Sequence, residues 1–346
     1  MKRSLLLVRL SAIGDAVHTL PALELLRAAL PDWRLGWAVE AEAAPVVEHA
    51  RGLDAIHVID RRALARARGR TGALRALGRL VASTERYDVA LDFQGLARSA
   101  LVARFLARRV LGSRHARELA TLAYHVKLDA PAAWEVHAVR RFTLLARSAI
   151  AALGERGPER VPPPRFEVPW STLSLDEPFL ALLPGAGKPA NQPPVALLAA
   201  VARRLPGLAL VTVGGPLDRE AGVRLARLVG ARDLTGKLSL VESASVLARA
   251  AVVLGGDTGP LHVARALGRP TVALFFAADP ARTAPVGYPG SAPALVVRGG
   301  APCAPCLART CRRPDKVRVC LEPLDPERIA RAVRAALQAE TVGATA

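Results

Sequence analysis

The stretch Val252-Val253-Leu254-Gly255-Gly256-Asp257-Thr258-Gly259-Pro260-Leu261-His262 decides the fold. A short, largely β-branched apolar run stops at two glycines. An acid, a hydroxyl, a third glycine, a proline and a histidine follow, leading into helix-forming Val263-Ala264-Arg265-Ala266-Leu267. The pattern predicts a buried strand, a tight turn and a helix start, with Thr258 or Asp257 as cap and Pro260 in the first helical turn. In an open parallel sheet such a turn lies at the carboxyl end of a strand, where ligands bind. Helix-start N–H groups and the small Gly259 would let a phosphate approach the backbone closely. Asp257, Thr258 and His262 are all polar at this turn, which packing alone does not require.

Working outward, the same strand, turn and helix grammar repeats. Towards the N-terminus, Leu5–Leu10 reads as a strand, Ser11-Ala12-Ile13-Gly14-Asp15 as the loop after it, and Ala16–Leu30 as a helix that starts or kinks at Thr19-Leu20-Pro21. Strands are predicted at Leu35–Val39, Ala55–Ile59 and Val89–Phe93, with a long Arg- and Ala-rich helix over Arg62–Ser83, whose arginines read as a solvated face. Helices follow at Ala97–Arg108 and His137–Leu153, separated by a shorter α/β stretch with Tyr124, His125 and Trp134. From Gly154 to Trp170 the texture changes, with consecutive prolines at Pro162, Pro163 and Pro164 and another at Pro169. Proline continues neither a helix nor a central strand, so this is a linker.

Beyond the linker the alternation resumes. Strands are expected at Phe179–Leu183, Leu208–Val213 and Thr271–Phe275, with helices at Val195–Leu205, Arg219–Val229, Val241–Ala250 and Pro326–Gln338. The resulting expectation is an α/β protein of two doubly wound, Rossmann-like domains facing a central cleft. The N-terminal domain spans residues 1–160, the linker 161–172 and the C-terminal domain 173–346.

Composition narrows the function. With 346 residues, 51% of them hydrophobic, the chain can bury two full cores. Its 48 Lys and Arg against 30 Asp and Glu give a net charge of +18, which draws anionic partners. These cations are spread along helices without interleaved aromatics, so nucleic acid is not the expected partner. No apolar run approaches the ~18–20 residues of a membrane span. The N-terminus reads as a first strand, not a signal peptide, because Arg9 interrupts it and no cleavage site follows. The chain is therefore expected in the cytoplasm, touching the inner membrane face through its charge.

Candidate site residues come from the strand-end loops. The N-terminal half offers Asp15, His18 and Gln94. The C-terminal half offers Gly185 and Lys188 in Pro184-Gly185-Ala186-Gly187-Lys188, Asp218 after Gly214-Gly215, and the Asp257, Thr258, Gly259 and His262 turn. Such glycine loops, Lys188 and helix N-termini suit a nucleotide diphosphate, while Asp218 or Glu220 could take ribose hydroxyls. The first loop has one glycine where a dinucleotide fingerprint needs three, no Walker loop is present, and no Asp-x-Asp pair offers itself to a divalent metal. A metal-free reaction on a nucleotide-linked substrate remains.

Four segments together resemble the glycosyltransferase family that contains the bacterial lipopolysaccharide heptosyltransferases, family 9. They are Arg9 to Pro21, Asp88 to Leu96 with Ser99, Pro184 to Gly187, and Gly256 to His262. The resemblance implies a GT-B fold, an ADP-heptose donor bound by the C-terminal domain, and an anionic lipid A inner-core acceptor met by the N-terminal domain. It implies inverting, metal-independent transfer with no required cofactor. Asp15 matches the family's catalytic base; Asp257, Thr258, Gly259 and His262 match its donor-binding turn. His18 and Gln94 would then line the acceptor side. One departure stands out: where the family usually carries a Lys followed by Arg or His and a Trp, this chain has Asn191-Gln192-Pro193, and Lys188 lies three residues earlier. The alternatives are the same fold using another nucleotide sugar or acceptor, or a non-catalytic sugar-nucleotide-binding relative.

All four cysteines, Cys303, Cys306, Cys311 and Cys320, fall within eighteen residues. Four thiols so close could hold a structural zinc ion tetrahedrally. A cytoplasmic setting argues against disulfides, and reduced free thiols are the other reading.

Overall fold

The computed structural model describes residues 2–59, 86–132, 135–176, 178–287 and 291–343. The helix expected at Arg62–Ser83 and Trp134 lie outside the described residues. The chain divides into two compact units, Met1–Glu167 and Val168–Ala346.

The first unit carries six parallel strands: β1 (Ser4–Val8), β2 (Arg34–Glu40), β3 (Ala55–Ile59), β4 (Tyr87–Asp92), β5 (Ala107–Ser113) and β6 (Val126–Leu128), in the order β3-β2-β1-β4-β5-β6. Its described helices are α1 (Ile13–Ala29), α2 (Ala44–Glu48), α3 (Ala97–Leu106) and α4 (Ala138–Ala152). Leu6 aligns with Gly36 on one side and Ala90 on the other, so β1 is the centre of the sheet. Every residue of β1 is buried, as expected for a strand covered on both faces. Arg165, Phe166 and Glu167 belong to this unit. Arg165 binds the buried Glu24 at 2.9 Å, and Phe166 forms a bridge with Ala50.

The second unit repeats the plan with β7 (Phe179–Leu183), β8 (Ala209–Thr212), β9 (Arg232–Asp233), β10 (Val252–Gly256), β11 (Thr271–Phe275) and β12 (Ala294–Arg298), ordered β12-β11-β10-β7-β8-β9. Its helices are α5 (Val195–Ala202), α6 (Arg219–Val229), α7 (Leu240–Leu247), α8 (Gly259–Ala266), α9 (Pro280–Thr283) and α10 (Pro326–Gly343). Alternation sorts β7 between two cores. Leu180 and Leu182 join Leu254, Ile329 and Val333 on one face, and Phe179, Ala181 and Leu183 join Val253, Val246 and Phe275 on the other.

Of the strands given no range in the sequence, two are instructive. Ala107–Ser113 looks like the continuation of a helix because Ala, Leu and Arg favour helices. The chain instead turns at Leu106, and parallel pairing with β4 decides the outcome. Similarly, β12 is a short edge strand inside what reads as loop. A third difference concerns α1, which starts at Ile13, not at Ala16 or Thr19, and runs through Pro21. Asp15 therefore sits in the first helical turn.

Candidate functional site

Both sheets have their first and fourth strands side by side, with later connections departing in opposite directions. That is the topological switch point, where the carboxyl ends of neighbouring strands leave a crevice for ligand. In the first unit these strands are β1 and β4; in the second they are β7 and β10. The polar residues gather at these two places.

At the β1 end, Arg9 follows the strand and is itself buried. Its guanidinium donates to the Phe93 carbonyl at 3.1 Å, lies over the Phe142 ring at 5.0 Å, and forms an ion pair with the Asp15 carboxylate. Asp15 also accepts from the Ala12 N–H at 3.4 Å, yet its side chain is 38% exposed. A half-open carboxylate is thus held from behind by a buried cation. Gln94, at the β4 end, accepts from the Leu10 N–H at 2.8 Å and so ties the two strand-end loops together. His18 is buried one helical turn beyond Asp15, its ring edge-on to His137 with centroids 5.6 Å apart.

Beneath Gln94 lies Asp92, a fully buried carboxylate that sequence reading passes over as part of a strand. It accepts from the Gln94 N–H (2.9 Å), the Gly95 N–H (3.1 Å), the Ser99 hydroxyl (2.9 Å) and the Tyr124 hydroxyl (2.7 Å). Burial pushes its carboxyl up from the ordinary carboxylate range, while the Tyr124 hydroxyl and the other donors pull it down. The signal for it was an acid ending an otherwise apolar strand. Arg9 carried the mirror signal, a cation directly after one. Above the loop, Arg98 donates to the Ser11 hydroxyl at 2.9 Å and pairs with the buried Glu40 at 3.3 Å.

In the second unit, Asp257 is the hub of the β10 turn. One carboxylate oxygen meets His262 Nε2 at 3.1 Å, and the other accepts from the Asn191 side-chain amide at 3.3 Å. Asn191 is carried by a short helical turn, Pro189–Asn191, and its carbonyl seats against Gly256, where a Cβ would come within 2.3 Å. Only glycine permits that approach. Thr258 is the extended residue that begins α8, but its side chain makes no capping hydrogen bond and Asp257 is engaged elsewhere. The capping expected of these two residues is therefore not made. Pro260 has no N–H, and the Leu261 and His262 N–H groups reach back to the Thr258 carbonyl at 3.1 and 3.4 Å, so at this helix start it is the N–H groups of Thr258 and Gly259 that are placed to favour an anion.

The β7 loop completes this crevice. Gly185 is pressed by the Asp218 carboxylate, which a Cβ would meet at 1.9 Å. Asp218 accepts from the Gly215 N–H at 2.9 Å, and burial pushes its carboxyl up. Lys188 is exposed on the same loop. The backbone around Asn191 is fixed by Arg318, which donates to the Gln192 carbonyl at 2.7 Å and the Pro189 carbonyl at 3.3 Å.

The cysteines behave differently from a metal site. Cys303 is exposed, Cys306 and Cys311 are half-buried and Cys320 is buried, and all four are free. All four line one cavity of about 60 Å³. Among the described residues no three His, Cys, Asp or Glu side chains come together as a metal ion needs. The structural zinc considered from spacing is thus not supported. The cause is local: Cys320 is anchored in the hydrophobic core beside Leu324, while the Cys311 thiol turns towards the Val317 carbonyl at 3.8 Å.

Two Rossmann-like units of the same strand order, each with polar groups at its switch point, define the GT-B class of α/β proteins. The sequence profile of glycosyltransferase family 9 (heptosyltransferase) matches residues 75–316. The chain is 31% identical to lipopolysaccharide heptosyltransferase 1 of Pseudomonas aeruginosa, over 96% of this chain and 98% of that protein. Among solved structures it resembles E. coli heptosyltransferase WaaC with ADP-2-deoxy-2-fluoro heptose, with 25% identity, a TM-score of 0.69 and coverage of 86% and 93% of the two chains. E. coli ADP-heptose lps heptosyltransferase II shares the fold at a TM-score of 0.75, with 23% identity and coverage of 99% and 100%. The chain belongs to glycosyltransferase family 9, and it is a glycosyltransferase.

Proposed function

We propose that this enzyme moves a heptose from ADP-heptose to the inner core of lipopolysaccharide, with Asp15 as the base. The observation that carries the reading is the Asp15 carboxylate, half exposed at a switch point and held by buried Arg9. In this mechanism a carboxylate oxygen of Asp15 takes the proton of the acceptor hydroxyl. The acceptor oxygen attacks the anomeric carbon from the face opposite the diphosphate, so configuration inverts. The bond from that carbon to the diphosphate oxygen breaks, and ADP leaves with the electron pair.

The second unit is the donor unit in this reading. The departing diphosphate gains charge, and the N-terminus of α8 with Gly259 and Thr258 meets it without a metal ion. Lys188 adds an ammonium from the β7 loop, while Asp218 is placed to meet the ribose. Asp257 and His262 orient the turn against the sugar. Asn191 keeps a hydrogen bond to Asp257 where the family pattern has a lysine, so it supplies geometry without charge. The first unit is the acceptor unit, with Gln94 holding the loops in register and His18 beneath them. Its acceptor is a glycolipid, which brings the enzyme to the cytoplasmic face of the inner membrane as a peripheral protein.

Thermal stabilisation by a nucleotide panel tests the donor, because a ligand that binds only the folded state raises apparent stability by mass action. ADP and ADP-heptose should stabilise the protein selectively over UDP, GDP and CMP. Selectivity for another nucleotide would replace the donor, and a null response to all would point to the non-catalytic alternative.

A further inference from the structure

The segment from α3 to β6 turns apolar side chains the wrong way. A short helical turn, Ala120–Ala123, packs on α3 through small residues, with Ala100 and Ala103 meeting Ala120, Ala116 and Ala123. The leucines that could have filled this seam face outward instead. Leu119 is 76% exposed, Leu122 78% and Leu101, on α3, 53%. Leu119 and Leu122 are three apart across a tight turn, so they project from one side. Glu118 and Leu119 both adopt left-handed backbone, with φ of 53° and 61°, a region that residues with a Cβ enter reluctantly. Scattered surface leucines need no explanation, but an unfavourable backbone that presents two of them does.

The segment itself is cationic. Between Ala97 and Lys127 there are seven Arg and Lys residues and a single acid, Glu118. Arg98 is committed to Glu40, Arg104 meets His125 at 2.8 Å and Arg114 lies 3.5 Å from Asp129. Arg108, Arg109, Arg117 and Lys127 are exposed. The patch is also joined to the candidate base. The Arg117 N–H donates to the Gly95 carbonyl at 2.8 Å, and the neighbouring Gln94 holds Leu10, at the head of the Asp15 loop.

We propose that Leu101, Leu119 and Leu122, with the exposed cations of the same segment, form the face by which the first unit docks on an anionic lipid bilayer. Leucines enter the boundary between headgroups and acyl chains while arginines meet lipid phosphate, the two contributions that peripheral anchors combine. The assignment rests on the reading of a membrane-borne acceptor. It supplies what that reading lacks, a surface that brings the sugar of a lipid-anchored acceptor to the loop of Asp15.

The test uses the full-length protein with vesicles of phosphatidylglycerol and phosphatidylethanolamine, against phosphatidylcholine alone. Wild type should sediment with the anionic vesicles only. Leu119→Ser with Leu122→Ser should weaken that partition about tenfold, and Arg108→Glu with Arg117→Glu by at least as much. In Leu119→Trp, the indole emission should shift to the blue on anionic vesicles and be quenched by brominated acyl chains. An unmoved indole on vesicle-bound protein, or absence of binding by wild type, overturns the proposal. So does light scattering that shows Leu119 and Leu122 holding two copies of the chain together. Transfer to a de-acylated, soluble acceptor separates the two readings. The leucine variants should match wild type there, whereas a wild type that binds vesicles but transfers nothing removes the function and leaves the docking face standing.

Discussion

The two switch points share a topology and differ in what their carboxylates are for. At β1 and β4, Asp15 is half open, and its partner Arg9 is buried behind it. At β7 and β10, Asp257 is an internal clamp, taken up by His262 from its own turn and Asn191 from the β7 loop. The first arrangement keeps a carboxylate available to a proton. The second uses a carboxylate to fix a helix start whose N–H groups suit an anion. On the proposed reading, one fold used twice would serve two halves of a transfer reaction, the division of labour set by which side chains the carboxylate already holds.

The largest effect should fall on turnover. Asp15→Ala should lower kcat by about 10²–10⁴, the range of a lost general base; steady-state assays with ADP-heptose and a soluble acceptor measure it. Unchanged turnover would erase the contrast between the two carboxylates. Next comes the scaffold of the first crevice. Asp92→Ala leaves two hydroxyls and two N–H groups without their acceptor, and should cost about 2 kcal/mol in denaturant unfolding. In the second crevice, Asp257→Ala should weaken ADP binding about tenfold, or ~1.4 kcal/mol, by isothermal titration.

Asn191→Lys sharpens the comparison. A cation beside Asp257 should tighten ADP about threefold at low salt and lose that gain as salt is raised. An affinity that does not move would mean Lys188 already meets the phosphate. The smallest effect concerns pH. Burial, and secondly Arg34, holds the His57 imidazole below its ordinary value of 6.5. The unfolded chain therefore binds that proton more tightly, so this contribution is full above pH 6.5 and is lost as pH falls below it. His57→Gln should remove part of the fall in Tm between pH 7.5 and 5.5, by about 1–2 °C.

Much of this architecture was legible because period and punctuation agree. The strands Ala55–Ile59, Phe179–Leu183 and Thr271–Phe275 are short apolar runs, the first two bounded by polar or turn residues and the third preceded by a proline, and they fold as read. Helix Arg219–Val229 has amphipathic spacing and ends at Gly230 in left-handed backbone. What stayed hidden depends on neighbours. Ala107–Ser113 is a strand only because β4 pairs with it, and Pro21 sits inside α1 although proline usually ends helices. At the site, Asp15, Gln94 and Asp257 stand out as polar groups at strand ends. Their partners do not, since Asn191 meets Asp257 through the adjacency of β7 and β10, and Arg9 meets Asp15 through the fold of the loop between them, neither of which a linear pattern carries. The cysteines show a different limit: closeness in sequence does bring all four to one small cavity, but of the two readings it left open, the metal site is not supported among the described residues.

The central claim, that the first crevice handles the proton and the second the nucleotide, is tested most directly by titrating ADP into Asp15→Ala. The account predicts a Kd within about twofold of wild type, although turnover is lost. A loss of ADP affinity as large as that of Asp257→Ala would contradict it, because Asp15 would then belong to donor binding.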